Sequence, residues 1–288
     1  PAEEIWVDFE GSKIHSAYFT HPKSKTLILY FHGNAGNLEG WGQIGAELRS
    51  ALRANVWIMD YPGFGKSEGS LSSSAQMIRM GETFANQIGA RGEIDQVYIF
   101  GRSIGTGLAA SLAATWLEAG ARPPLAGVIL ETPYLSMTEL VHDYAPWFPG
   151  FLVKYKFSVV DLLPQFRGPI LILHGTDDEI IPYRHGEELA NRLAGRGSVT
   201  MIEVPGGDHN DLADFPAYGC SLGGTKCSPS TRLLPCVTDV TTCLVRVPRL
   251  GHRQKQRQPP PTKMRFFAFQ DFLRGFRFCF RNGDQNRR

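Results

Sequence analysis

Ser103 stands at the centre of Gly101-Arg102-Ser103-Ile104-Gly105, the Gly-x-Ser-x-Gly spacing that turns a serine into an exposed nucleophile on a sharp strand-to-helix turn. Such a turn holds the serine in a strained backbone conformation, and a side chain two residues before or after it would collide with the turn. Gly101 and Gly105 remove those side chains. The hydroxyl then needs a general base, and the base needs an acid to orient it. His209 lies three residues after Gly206, in VPGGDHNDL, and is the candidate base. The acid is Asp177 or Asp178, in HGTDDE; Asp178 is favoured because Thr176 and Asp177 are better placed to complete the turn. Acyl transfer also needs two N–H donors for the tetrahedral oxyanion. One is Ile104, directly after the nucleophile. The other comes from His32-Gly33-Asn34-Ala35-Gly36-Asn37, whose glycines let backbone approach a substrate, so that Asn34 or Ala35 supplies it.

These residues must be carried by strands that end at one edge. Val97 to Phe100 reads as a buried parallel strand running into the nucleophile turn, and the small residues 106–114 suit a helix pressed against a sheet. That helix N-terminus, beneath Ser103, favours developing negative charge. Further strands fall near 26–31, 55–60, 125–131, 169–174 and 199–204, with helices near 40–53, 73–90, 104–119 and 184–194. Strands separated by helices of this length are parallel, and their crossovers place helices on both faces. EIWVDFEG and KIHSAYFT form an amino-terminal hairpin with Gly11-Ser12 at its turn.

In its motifs and their order the chain resembles the α/β-hydrolase superfamily, and within it the small-cap serine hydrolases grouped with lysophospholipase-like, monoacylglycerol-lipase-like and protein-depalmitoylating members. The matching pieces are LILYFHGNAGN, VWIMDYPGFGKSEG, VYIFGRSIGTG, VILETPYLSM, PILILHGTDDEIIP and VPGGDHNDL, in the family's order. Nucleophile, acid and histidine follow in the sequence order of this fold and not of other serine-hydrolase folds. The resemblance implies an α/β-hydrolase fold with a mostly parallel central sheet, a triad of Ser103, Asp178 and His209, and an oxyanion hole from Asn34 and Ile104. It implies a structural turn at 60–69, and packing and hydrogen-bonding roles for His32 and His174. No metal and no cofactor is expected. Residues 137–168 occupy the place where the superfamily inserts its cap, here too short for an independent lid. Trp147, Phe148, Phe151, Leu152, Tyr155 and Phe157 either line an apolar acyl groove there or cover the sheet edge.

The expected activity is hydrolysis of carboxylic esters or thioesters with short to medium acyl chains, on a small-molecule ester or lipid-like substrate. An aminopeptidase-like activity is the enzymatic alternative, disfavoured because no acidic cluster presents itself to anchor a substrate amine. A binding module that keeps the fold without the chemistry is the third reading.

At 288 residues the chain exceeds one α/β domain of about 200 to 250 residues, and its two parts differ in charge. Residues 1–219 carry 16 Lys and Arg against 25 Asp and Glu, whereas 220–288 carry 14 against 3 and hold all five cysteines. The catalytic domain is therefore assigned to 1–218, followed by an atypical Cys-containing basic linker over 219–263 and a Phe-rich basic helix over 264–288. Tight Cys-x-x-Cys pairs are absent, so the tail is not read as a zinc site. Its phenylalanines recur at three- and four-residue spacing, which fits either a displaced last helix packed on the sheet or peripheral contact with an anionic membrane. The tail's positive charge alone gives only unspecific, salt-sensitive attraction to nucleic acid, so no specific nucleic-acid partner is expected. No apolar run of about 18 residues is present and no signal-peptide pattern. The expectation is a cytoplasmic protein, with membrane association through the tail; because the sequence opens at Pro1, a leader or anchor upstream is left open, as is the oligomeric state.

Overall fold

The computed structural model describes residues 2–222 apart from 35, 90–93, 117–121 and 154. Eight strands form one sheet: β1 (Glu3–Phe9), β2 (Ser12–Phe19), β3 (Thr26–Phe31), β4 (Asn55–Met59), β5 (Gln96–Arg102), β6 (Leu125–Glu131), β7 (Ile170–Gly175) and β8 (Val199–Val204). Their order across the sheet is β1-β2-β4-β3-β5-β6-β7-β8. Only the β1–β2 and β2–β4 pairings are antiparallel; β3 onward is parallel. β5 is central, so Ser103 follows a strand with ladder partners on both sides.

Seven helices belong to the described residues: α1 (Leu38–Leu52), α2 (Ser74–Ile88), α3 (Gly105–Thr115), α4 (Met137–Tyr144), α5 (Val159–Leu162), α6 (Arg184–Leu193) and α7 (Pro216–Ser221). The alternation of buried side chains explains why they divide between the two faces. Leu27, Leu29 and Phe31 of β3, with Val97 and Ile99 of β5, pack with residues of α2, α3 and α6. Ile28, Tyr30, Tyr98 and Phe100 face the other way, against Leu38, Leu48 and Leu52 of α1 and Tyr218 of α7. Every strand position from Leu27 to Phe31 is buried, as a sheet covered on both faces requires. Helix α3 packs tightly, and its small residues permit this: a Cβ at Gly105 would stand 2.2 Å from Phe31 O of β3, and one at Gly107 would stand 2.2 Å from Tyr134 Oη and 2.5 Å from Phe157 Cγ.

The expected hairpin forms, but its turn is Glu10-Gly11, with φ of 50° and 79°, and Ser12 is already the first residue of β2. Two consecutive positive φ angles match the right-handed twist of the flanking strands, so the glycine takes the second central position. The turn at 60–69 is built as expected. The buried Asp60 accepts the Leu38 N–H at 2.8 Å and lies 3.4 Å from His15 Nδ1, holding the start of α1 and the end of β4 together.

In the cap, α4 is followed by a 3-10 turn at Gly150–Leu152, the short α5 and a second 3-10 turn at Leu163–Gln165. Its six apolar candidates divide: Tyr155 and Phe157 are buried core residues, Phe148 is half-buried, and Trp147, Phe151 and Leu152 are 81%, 76% and 57% exposed. Tyr155 and Phe157 thus belong to the core, Phe157 against Gly107 of α3 and Tyr155 with its hydroxyl on Leu71 O, instead of lining an open groove. The expectations for the cysteine-containing linker beyond Leu222 and for the Phe-rich helix lie outside the described residues. Among the described residues, no helix is long and apolar enough to cross a membrane.

Candidate active site

Strand β5 ends at Arg102, and Ser103 turns the chain into α3 with φ of 53°, a left-handed conformation that is uncommon for any residue with a side chain. The turn is closed by the Ser103 N–H, which donates to Glu131 O at 2.9 Å, and by the Thr106 N–H, which donates to Ser103 O at 3.0 Å. A Cβ at Gly101 would stand 2.5 Å from Gly105 O, and one at Gly105 would stand 2.2 Å from Phe31 O. Both obstacles are backbone and cannot swing away, so the two glycines flanking Ser103 are a steric requirement of the elbow.

The loops after β7 and β8 bring the other two side chains to Ser103. His209 Nε2 is 3.1 Å from Ser103 Oγ, and His209 Nδ1 is 2.9 Å from Asp178 Oδ2. With Asp178 ionised, Nδ1–H donates to the carboxylate, and Nε2 is left to accept the Ser103 hydroxyl proton. Asp178 Oδ1 accepts the N–H groups of Ile180 at 2.9 Å and Ile181 at 2.7 Å, which fixes the carboxylate plane. His174, fully buried, donates from Nε2 to Ile181 O at 2.8 Å and lies 3.4 Å from Asp178 Oδ2. Burial disfavours the charged carboxylate, but His209 and His174 beside it outweigh that cost, and Asp178 is held well below the usual carboxylate range.

The structure separates the two aspartates that the sequence left as alternatives. Asp178 is buried against His209, whereas Asp177 is exposed and accepts from Thr176 Oγ1 at 2.9 Å. Thr176 Oγ1 also accepts the Gly206 N–H at 2.9 Å, and Asp208 Oδ1 accepts the Glu179 N–H at 3.0 Å. These bonds stitch the acid loop to the histidine loop.

The loop after β3 lies against the nucleophile: a Cβ at Gly33 would stand 3.5 Å from Ser103 Cβ. His32 Nδ1–H donates to Gly33 O at 2.7 Å, and Tyr61 Oη–H donates to His32 O at 2.7 Å. Burial lowers the His32 pKa to about 4, so the ring is neutral and acts as a packing and hydrogen-bonding group, stacked on Trp41 at 5.6 Å. Across the trans peptide, the Asn34 N–H points opposite to the Gly33 carbonyl that His32 holds. Asn34 is the next residue of this loop, and Ala35, the other sequence candidate, lies outside the described residues. Ile104 precedes α3 with φ of −56°, and its N–H is among the first amides of that helix, which have no partner within it.

Sequence reasoning missed two charged residues here. Arg102 and Glu131 end β5 and β6, are 9% and 3% exposed, and approach within 3.3 Å of one another. The signal was a charge at the last position of each of two otherwise apolar strands. Thr132, directly after Glu131, also has a positive φ of 48°. Among the described residues, no group of three or more His, Cys, Asp or Glu side chains is arranged to hold a metal ion.

A hydroxyl on a strained turn, an imidazole at hydrogen-bond distance and a buried ionised carboxylate behind it have the geometry for nucleophilic acyl transfer. The comparisons agree with the fold. A family model described as "alpha/beta hydrolase fold" matches residues 26–160. The chain is 32% identical over 215 residues to a Xenopus tropicalis protein named lysophosphatidylserine lipase ABHD12, covering 69% of this chain and 55% of that one. It is 31% identical over 203 residues to the Caenorhabditis elegans alpha/beta hydrolase domain-containing protein aho-3, covering 68% of this chain and 56% of that protein. The match thus spans little more than half the length of these relatives. Among solved structures, Est1E of Butyrivibrio proteoclasticus with ferulic acid bound superposes with a TM-score of 0.60 at 17% identity, over 73% of this chain and 93% of that one.

Proposed function

The chain belongs to the α/β-hydrolase superfamily, and from that membership we propose that it is a serine hydrolase of carboxylic esters or thioesters with short to medium acyl chains. The observation that carries the reading is the continuous line Ser103 Oγ, His209 Nε2, His209 Nδ1, Asp178 Oδ2, with contacts of 3.1 and 2.9 Å. In the first step Ser103 Oγ attacks the carbonyl carbon while His209 Nε2 takes its proton. The oxyanion is received by the N–H groups of Ile104 and Asn34, and the imidazolium is stabilised by Asp178, which stays ionised. Collapse of the tetrahedral adduct breaks the bond to the leaving oxygen or sulfur, which takes the proton from His209. Ser103 is left acylated. Water, deprotonated by His209, then attacks the acyl carbon, and a second collapse releases the acid and restores the Ser103 hydroxyl.

A lysophospholipid ester is the second reading, favoured by the name of the Xenopus tropicalis relative. The test is a panel of p-nitrophenyl esters of rising chain length, a lysophospholipid and an aminoacyl anilide. The proposal expects ester turnover that is lost in His209→Ala. Turnover of the anilide alone would reverse the assignment to a peptidase.

A further inference from the structure

Resting on the reading of Ser103 and His209 as nucleophile and base, we propose that Arg102 is a positioning residue: its guanidinium, seated on Glu131, fixes the main chain of His209 relative to Ser103. The contact between Ser103 Oγ and His209 Nε2 joins residues 106 positions apart. They stand on loops of β5 and β8, strands separated in the sheet by β6 and β7. Asp178 sets the rotation and tautomer of the His209 ring, but it belongs to the β7 loop and leaves the distance between the His209 backbone and β5 to other groups.

Arg102 spans that distance. Its Nη2 donates to His209 O at 3.1 Å and to Asn210 Oδ1 at 3.2 Å, while Arg102 is itself the chain neighbour of the nucleophile. The rest of the guanidinium is fixed from the other side: Nε is 3.3 Å from Glu131 Oε1, and the head sits 5.1 Å from the centre of the Trp41 ring. Glu131 is aligned with Arg102 in the parallel register of β5 and β6, and its main-chain oxygen accepts the Ser103 N–H. Its second carboxylate oxygen accepts from Tyr218 Oη at 2.7 Å, which ties α7 into the same group. One planar fork therefore connects the nucleophile elbow to the histidine loop. A lysine, with a single point charge, cannot face both Glu131 and the His209 carbonyl in fixed directions. Burying an ion pair is not in itself a route to stability, because apolar replacements of both partners are often neutral. A pair buried beside the nucleophile calls for another role, and holding the base supplies one.

The test compares wild type with Arg102→Met/Glu131→Gln, which removes both charges while keeping an acceptor for Tyr218, and with Arg102→Lys, which keeps the charge and loses the fork. The readouts are the rate constant for fluorophosphonate labelling of Ser103, kcat and KM on a p-nitrophenyl ester, and the melting temperature. The proposal expects both variants to melt near wild type while labelling and kcat fall roughly 10- to 100-fold with little change in KM, the size of effect that a misplaced base produces. Labelling at the wild-type rate in the double variant would overturn the positioning role, since Arg102 would then only neutralise Glu131, and would leave the serine-hydrolase reading intact. A wild-type protein that does not label at all would overturn both.

Discussion

Replacing Asp178 by Asn changes almost no volume and should nevertheless abolish most of the activity. Asp178 Oδ1 accepts two backbone N–H groups, at 2.9 and 2.7 Å, and a side-chain amide can satisfy them only by turning its oxygen to that side. Its NH2 then takes the place of Oδ2, 2.9 Å from His209 Nδ1 and 3.4 Å from His174 Nε2. Facing a donor, His209 must present a bare Nδ1 and carry its proton on Nε2, where it can no longer accept the Ser103 proton. The amide also meets the His174 N–H, donor against donor. Loss of the correct tautomer in a serine triad is worth about 10^4 in kcat, or about 5.4 kcal/mol of transition-state stabilisation. The neighbouring Asp177, exposed and bonded to Thr176, gives the internal control: Asp177→Asn should change kcat less than about threefold, as surface substitutions do. Initial rates on a p-nitrophenyl ester, with enzyme matched by circular dichroism, measure both. If Asp177→Asn were the more damaging, or if Asp178→Asn kept a tenth of the wild-type kcat, the assignment of the acid would be refuted.

Three further outcomes follow from the packing and the ionisation. Gly105→Ala forces a Cβ to 2.2 Å from Phe31 O and should prevent folding of the elbow, whereas Gly42→Ala, in α1 with nothing within 4 Å, should raise stability by about 0.5 to 1 kcal/mol; urea unfolding distinguishes them. In the cap, Phe157→Ala should cost about 3 to 5 kcal/mol, while Trp147→Ser and Phe151→Ser, both well exposed, should leave the melting temperature within about 2 °C. The fully buried His32 has a folded pKa of about 4 against an unfolded value near 6.5. Since the unfolded chain binds the proton more readily, His32 contributes stability that is complete above pH 6.5 and is lost as the pH falls towards 4, on the order of 3 kcal/mol. Asp178, also depressed, adds a loss at still lower pH, below its unfolded value near 3.9. Melting temperatures between pH 7 and 4 should therefore slope downward, and His32→Asn should flatten that slope.

The parts of the site that were legible in the sequence are those whose requirements are local. Gly101 and Gly105 are dictated by the backbone atoms that a Cβ would strike, so the elbow can be read from five residues. His209 and the aspartate pair were legible as strand-end loops in a fixed order. Which aspartate turns inward was a matter of burial, and the preference for Asp178 came from turn chemistry and the family resemblance. Arg102 escaped attention because its meaning depends on His209 and Asn210, more than a hundred positions away, and on Glu131 in the adjacent strand. The six apolar residues of the cap could not be sorted by type. Phe157 is buried because Gly107 leaves room for it on α3, while Phe151, six residues earlier, is exposed. The hairpin turn was displaced by one residue because the left-handed φ of Glu10 has no signature in its side chain.

The central claim is that Ser103 is a nucleophile activated by His209. The most direct measurement is intact-protein mass spectrometry after exposure to a fluorophosphonate, with the modified residue located by peptide mapping. The account predicts one adduct per chain, carried on Ser103, absent from Ser103→Ala and formed far more slowly in His209→Ala. An unmodified wild-type protein, or an adduct that persists in Ser103→Ala, would contradict it.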